Sequence, residues 1–531
     1  MRSPNSNHLF SRVPSVSIPR SAFKRDRTYK TCFDAGKLIP FFLDEVLPGD
    51  TFNVNVAAFA RLATPVVPFM DNVYMDFQFF FVPCRLVWDN WEKFNGYQEN
   101  PGDSTDFLIP QLDDHLVGVG SLHDYFGLPS NKEVTVNALP FRCYNLIWNE
   151  FYRDENLQDS VPVLKDDGPD PFVTGSTSTY KLLPRGKRKD YFTSCLPAPQ
   201  KGPGVEIPLG GNAPVDFVTP SSSDDVTALR LYNTNGSALT GNYLLGQSGT
   251  SVVRVTNPSY VNGGTSLALP KLYADLSQTN AITINTMRQA FQIQRLYERD
   301  NLGGTRYFET LVAHFGIRSP DSRLQRPEYL GGGTLPVSIH SVAQTSSTDT
   351  ESPQGNLAAV GLTGSRSAVH FSKSFVEHGY IIGLVSVRAD LNYQQGIDRM
   401  WSRRTRFDFY WPALAHLGEQ AVLNKEIYYQ GNASDDQVFG YQERWAEYRY
   451  GVSKITGKLR SGVPESLDVW HLAQHFENLP VLNSEFIEEN PPLSRVIAVP
   501  SEPQFVFDSL VSCKCIRPMP VYSVPGLIDH F

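Results

Sequence analysis

Apolar and polar positions alternate in TFNVNVAAFARL, residues 51–62, around Phe52, Val54 and Val56. A period of two predicts a strand with one buried face. VYMDFQFFFVP (73–83) is a denser aromatic run that Pro83 ends. Further β-type runs are AVHFSKSFVEHG (368–379), YIIGLVSVRA (380–389), RVIAV (495–499) and QFVFDSLVSCKCI (504–516). They lie far apart, and helices do not alternate regularly with them. That favours a sandwich or barrel over βαβ units.

Helical periods occur between these runs. WDNWEKFNGY (88–97) has Asp89 near its start and Gly96 near its stop. FRCYNLIWNEFYRDENL (141–157) spaces Tyr144, Ile147, Trp148, Phe151 and Tyr152 on one face. INTMRQAFQIQRLYERD (284–300) aligns Met287, Ala290, Phe291 and Tyr297. Gly303 and Gly304 follow, and a second helix is expected from about Thr305 to Phe315. A dinucleotide fingerprint needs G-x-G-x-x-G after a strand. Here the glycines follow a helix without that spacing, so they read as a helix–helix joint, with Gly303 as a left-handed C-cap.

Two stretches break the pattern. Residues 204–264 are poor in charge and rich in Gly, Ser, Thr and Asn, with Tyr232, Tyr243 and Tyr260 among them. Such text makes a loop-rich surface excursion rather than core. Residues 341–366, SVAQTSSTDTESPQGNLAAVGLTGSR, read as a second, shorter loop.

Charge is distributed unevenly. Residues 1–30 carry Arg2, Arg12, Arg20, Lys24, Arg25, Arg27 and Lys30 against Asp26 alone, a net +6 in a chain of −8. The remaining residues therefore carry −14. A basic, weakly apolar arm cannot fold alone and suits a polyanion. Six scattered cysteines in 531 residues make no disulfide framework. No apolar run approaches ~18 residues, so no membrane insertion is expected. The first residues lack the apolar core of a secretory signal.

Catalytic patterns are weak throughout. Gly451 and Gly457 are one residue too far apart for a P-loop, and Leu459 follows Lys458 where Ser or Thr is needed. His471 and His475 lack the intervening Glu of a zincin. Cys513 and Cys515 have no second thiol pair. Acid pairs such as Asp113–Asp114, Asp166–Asp167 and Glu488–Glu489 are ordinary in an acidic chain of this size. No catalytic residue, cofactor or metal site is assigned. More informative are two basic–aromatic clusters. One is Arg185, Lys187, Arg188 and Lys189 before Tyr191 and Phe192. The other is Arg399, Trp401, Arg403, Arg404 and Arg406 before Phe407. Arginine beside aromatic rings fits either single-stranded nucleic acid or a subunit interface.

Residues 38–91, beginning LIPFFLDEVLPGDTFNV, resemble the major capsid protein of the gokushovirus branch of the Microviridae. So do LPFRCYNLIWNEFYRDENL (139–157), RGKRKDYFTSCLPAPQKG (185–202), residues 289–332 and AQTSSTDTESPQGNLA (343–358). The resemblance fades over 204–280. It implies a mainly β fold: an eight-stranded viral jelly roll with large helical and loop insertions. It divides the chain into a basic arm (1–36), a first part of the core (37–203), a variable surface insertion (204–280) and the remaining core (281–531). It also implies a T=1 icosahedral virion shell of about 60 copies around circular single-stranded DNA, assembled in the bacterial cytoplasm. Partners would be further copies of itself, the packaged DNA, a small basic DNA-binding virion protein and a host surface receptor. The insertion would form a three-fold protrusion that meets the host. An acidic chain cannot neutralise a genome by itself, which makes a basic partner or cations necessary. The rival class is an aromatic-rich β-sandwich enzyme or binding protein acting on carbohydrate, which would be a small soluble oligomer.

Overall fold

The structure, a computed structural model, describes residues 19–171, 179–203, 215–218, 244–247, 253–256, 271–274, 284–302, 313–314, 324–343, 345 and 355–522. It divides into two compact units, Met1–Lys201 with Glu298–Phe531, and Gly202–Tyr297.

Seventeen strands are described. The first unit opens with β1 (Ser21–Lys24), β2 (Arg27–Phe33), β3 (Ile39–Val46), β4 (Thr51–Leu62) and β5 (Val73–Pro83). A small antiparallel pair follows, β6 (Gln111–Leu116) with β7 (Glu133–Asn137). The second unit holds β8 (Val215–Val218), β9 (Leu244–Gln247), β10 (Val253–Thr256) and β11 (Lys271–Ala274). In it β8 pairs β11 and β9 pairs β10, both antiparallel. The first unit resumes with β12 (Glu328–Ala343), β13 (Leu357–Ser374), β14 (Gly379–Ala389), the pair β15 (Glu419–Leu423) and β16 (Val438–Glu443), and β17 (Phe505–Arg517).

Nine of these strands form one antiparallel sheet in the order β1-β17-β4-β13-β12-β5-β14-β3, with β2 continuing the β1 edge along β17. The sheet curls into a jelly-roll-like half-barrel, so the two expected layers are halves of one continuous sheet. β12 makes the turn: its residues 328–337 pair β5 and its residues 338–343 pair β13. Glycines allow that. A Cβ on Gly332 would stand 2.0 Å from the Phe77 carbonyl oxygen, and one on Gly333 2.4 Å from that of Ala368. Curling brings distant strands face to face. Phe507 of β17 packs against Phe41 of β3 (ring centroids 6.2 Å apart) and Phe77 of β5 (6.0 Å).

Burial follows the strand period where one face meets water. In β4, Phe52, Val54, Val56, Ala58, Ala60 and Leu62 are buried and alternate with more exposed positions. β14 is buried along its whole length because the helix Leu139–Phe151 and its neighbours cover the second face. Tyr144, Ile147 and Trp148 supply that cover, as their spacing predicts. The Tyr144 hydroxyl donates to the Leu38 carbonyl (2.9 Å), and Trp148 Nε1 to that of Pro184 (2.9 Å). Arg142 on the same helix is fully buried. It pairs with Asp170 and donates to the Val87 carbonyl (3.0 Å), which satisfies a charge otherwise costly to bury.

Several sequence expectations need correction. RVIAV is not a strand; residues Leu493–Arg495 form a 3₁₀ turn and Ile497 makes only an isolated bridge to Pro65. Residues 357–366 are strand, not loop, because β12 pairs residues 357–362 and β4 takes over from Leu362 to Ser365. Residues 21–24 and 27–33 of the basic arm are also strand, paired with β17. The helix expected over 88–97 is a single turn, Trp91–Phe94, and the helix that begins at Leu139 stops at Phe151. The helix expected from 284 spans Ile284–Leu302, but its apolar stripe is open: Met287 and Phe291 are exposed.

Candidate contact surfaces

Five cations of the arm, Arg20, Lys24, Arg25, Arg27 and Lys30, are described, and each has a partner within the fold. β1 and β2 form one edge of the curled sheet and β3 the other. Arginines bridge that seam where no backbone ladder runs. Arg25 Nη1 reaches Asp44 Oδ1 at 2.7 Å, and Arg27 Nη2 donates to the Leu43 carbonyl at 2.6 Å. Arg517, at the end of β17, donates to the Glu45 carbonyl (2.6 Å) and pairs with Asp50 (3.1 Å). The Arg27 guanidinium also lies 4.2 Å from the Phe42 ring centre. Arg20 donates to the Gly49 carbonyl and Thr51 Oγ1, Lys24 pairs with Asp26 at 3.1 Å, and Lys30 pairs with Asp508. Arg2 and Arg12 lie outside the described residues.

The first basic–aromatic cluster splits. Arg185 points inward to Asp76 on β5, which also accepts from Arg388 Nε (2.8 Å) and Thr334 Oγ1 (2.7 Å). Burial pushes the Asp76 carboxyl up, but Arg185, Thr334 and Arg388 outweigh it and hold it below the usual carboxylate range. Lys187 donates to the Phe486 carbonyl (2.6 Å) over the Phe486 ring, and burial lowers its pKa. These two cations therefore hold loops onto the sheet. Arg188 and Lys189 face solvent, and Lys189 pairs with Asp154. Tyr191 and Phe192 are core.

The second cluster stays at the surface. Arg399 pairs with Glu426 (2.9 Å), and Arg403 with Glu447 (3.3 Å) while lying 4.2 Å from the Tyr448 ring centre. These anchored arginines hold up a shelf of exposed rings: Trp401, Phe407, Phe409, Tyr410 and Trp411, with Arg404 and Arg406 between them. Trp401 is 74 % exposed. Isolated exposed apolar side chains are ordinary, whereas Trp, Tyr and Arg together are enriched in protein-binding surfaces.

The sites weighed for chemistry dissolve. His471 is buried in extended chain, with Nε2 against the Leu459 carbonyl. Cys513 and Cys515 share the inner face of β17 and are buried. Asp167 accepts from Trp88 Nε1 (2.7 Å), and Asp166 pairs with Arg142 (3.2 Å). Among the described residues no group of three or more His, Cys, Asp or Glu is placed to hold a metal ion. No described helix is long and apolar enough to cross a membrane.

Residues 11–527 match the protein family described as "Capsid protein (F protein)". The chain belongs to this capsid protein family. It is 48 % identical to the capsid protein VP1 of Bdellovibrio phage phiMH2K over 540 residues, covering 100 % of this chain and 99 % of that one. It is 46 % identical to capsid protein VP1 of Chlamydia phage 1 over 583 residues, covering 98 % and 97 %. It is 37 % identical to capsid protein VP1 of Spiroplasma virus 4 over 542 residues, covering 98 % and 97 %. It is thus a phage capsid protein, a structural subunit rather than an enzyme.

Sequence reasoning about this capsid protein missed the anions that receive its cations. Asp44 and Asp76 sit in strands among apolar residues, and acids at such positions signal a buried partner. Gly303, Gly304, Tyr232, Tyr243 and Tyr260 lie outside the described residues.

Proposed function

We propose that the chain is the major shell subunit of a gokushovirus-type virion. About 60 copies close a T=1 icosahedral particle around circular single-stranded DNA in the bacterial cytoplasm. The aromatic shelf at 401–411 carries this reading. A shell subunit must bury large surfaces against its neighbours, and hot spots of such contacts are rich in Trp, Tyr and Arg. An acidic chain of net −8 leaves counter-charge to cations or a small basic virion protein. The insertion at 204–280, with Tyr232, Tyr243 and Tyr260 among Ser, Gly and Asn, has the composition of an adaptable binding surface and is proposed to meet the host. Gly303 and Gly304 are proposed as a backbone joint.

The test replaces the shelf without touching the core: Trp401→Ala with Arg404→Glu. Sedimentation is expected to show subunits in place of particles, with a melting temperature close to that of the unaltered subunit. Normal particle yield contradicts the reading.

A further inference from the structure

The outer face of β1-β17-β4 holds a feature that neither the seam nor the aromatic shelf uses. Register places Lys24 of β1 directly opposite Lys514 of β17, and Lys514 opposite Asn53 of β4. The next outward row is Ser512 opposite Asn55, and the rows run on to Ser372 and His370 of β13. Lys24, Lys514, Asn53, Ser512, Ser372 and His370 are all exposed. A shallow trough of about 460 Å3 follows this face, lined by Ala22, Phe23, Lys24, Asp26, Asn53, Asn55, Ser512 and Lys514.

Like charges directly opposite on one sheet face are destabilising. Lys24 is relieved by Asp26. Lys514 has no anionic partner among the described residues. The trough thus carries an uncompensated cation in a chain that is otherwise acidic. Beneath it Asn55 Oδ1 is buried with no hydrogen-bond partner. Uncharged amides and hydroxyls flank the lysines. A phosphodiester strand fits this arrangement. Its phosphates neutralise the lysine pair, and the exposed Asn53 amide and Ser512 hydroxyl can donate to further phosphate oxygens.

We infer that this trough is a contact site for single-stranded DNA, with Lys24 and Lys514 on phosphates. The inference rests on the packaging reading above and relocates its contact. Arg25 and Arg27, obvious from sequence, are committed to the seam, whereas Lys514 lies almost five hundred residues from the basic arm. Charge complementarity selects the occupant: two exposed lysines face Asp26 alone, and the trough is open, suited to a flexible polyanion.

The experiment uses the full-length subunit and a labelled single-stranded oligonucleotide, titrated across salt. Two phosphate contacts on a single strand contribute a log–log salt slope of about 1.4. The double variant Lys24→Asn, Lys514→Asn is therefore expected to lose that much slope and roughly 25-fold affinity at 0.1 M salt. Removing the like-charge pair with Lys514→Asn alone is expected to leave the free subunit at least as stable as the parent, so lost binding is not lost folding. Unchanged affinity and slope in the double variant overturn the trough while leaving packaging intact. A parent subunit that binds no oligonucleotide overturns both. Equal, lysine-dependent binding of polyglutamate assigns the trough to an acidic protein and overturns the inference.

Discussion

Arg25 and Asp44 meet at 2.7 Å across the open edge of the curled sheet. One belongs to the basic amino-terminal segment and the other to the last strand in the sheet order, so this ion pair, with Arg27 and Arg517 beside it, joins the half-barrel's two edges. Asp44 is almost fully buried, whereas Arg25 and Arg27 keep 38 % of their side chains exposed.

Removing Asp44 strands two guanidiniums at the seam. Asp44→Ala is expected to cost about 1–3 kcal/mol in urea unfolding, with solvent screening of the arginines limiting the loss. The exposed pair Lys30–Asp508 supplies the contrast: Asp508→Asn is expected to change stability by less than ~0.5 kcal/mol. Equal effects of the two variants contradict the seam's role.

Stability is expected to fall between about pH 4 and 7 through Glu419. Burial, then Glu443 opposite it on β16, then Glu298, raise its carboxyl pKa to about 7. An unfolded Glu titrates near ~4.3, so the folded chain binds the extra proton between these values. The ionised carboxylate disfavours the fold, and that penalty is absent below the unfolded pKa and complete above 7. Glu419→Gln is expected to flatten this part of the pH–stability curve and to raise stability at pH 8. A variant curve parallel to the parent's rules the assignment out.

The insertion proposed to meet the host is testable by deletion. A chain lacking roughly residues 212–262, closed by a short Gly/Ser bridge, is expected to form particles that no longer adsorb to host cells. Unchanged adsorption contradicts the receptor proposal. Failure to form particles gives the insertion a structural role instead.

The sequence was most readable where one face of a strand meets water. Phe52, Val54 and Val56 alternate, and β4 is where that period places it. β3 is less visible because Pro40, Phe41 and Phe42 are buried in succession, so alternation is lost. The Gly/Ser/Thr-rich start of β13 reads as loop because its strand character comes from pairing with β12 and then β4. The cations of residues 20–30 were visible as cations, but their partners Asp44 and Asp508 are distant in sequence, so a free arm was the simpler reading. Trp401 and Arg404 were legible as a pair of chemistries. That Arg185 and Lys187 turn inward while Trp401 stays out was decided by Asp76 and the Phe486 carbonyl, which only the fold brings near.

The central claim, a shell built from copies of this chain through the aromatic shelf, is tested most directly by an icosahedral reconstruction of purified particles at side-chain resolution. The account predicts about 60 copies, each with Trp401 and Trp411 covered by a neighbouring copy. A shell in which both indoles remain open to solvent, or a chain recovered only as a 59.5 kDa monomer, contradicts it.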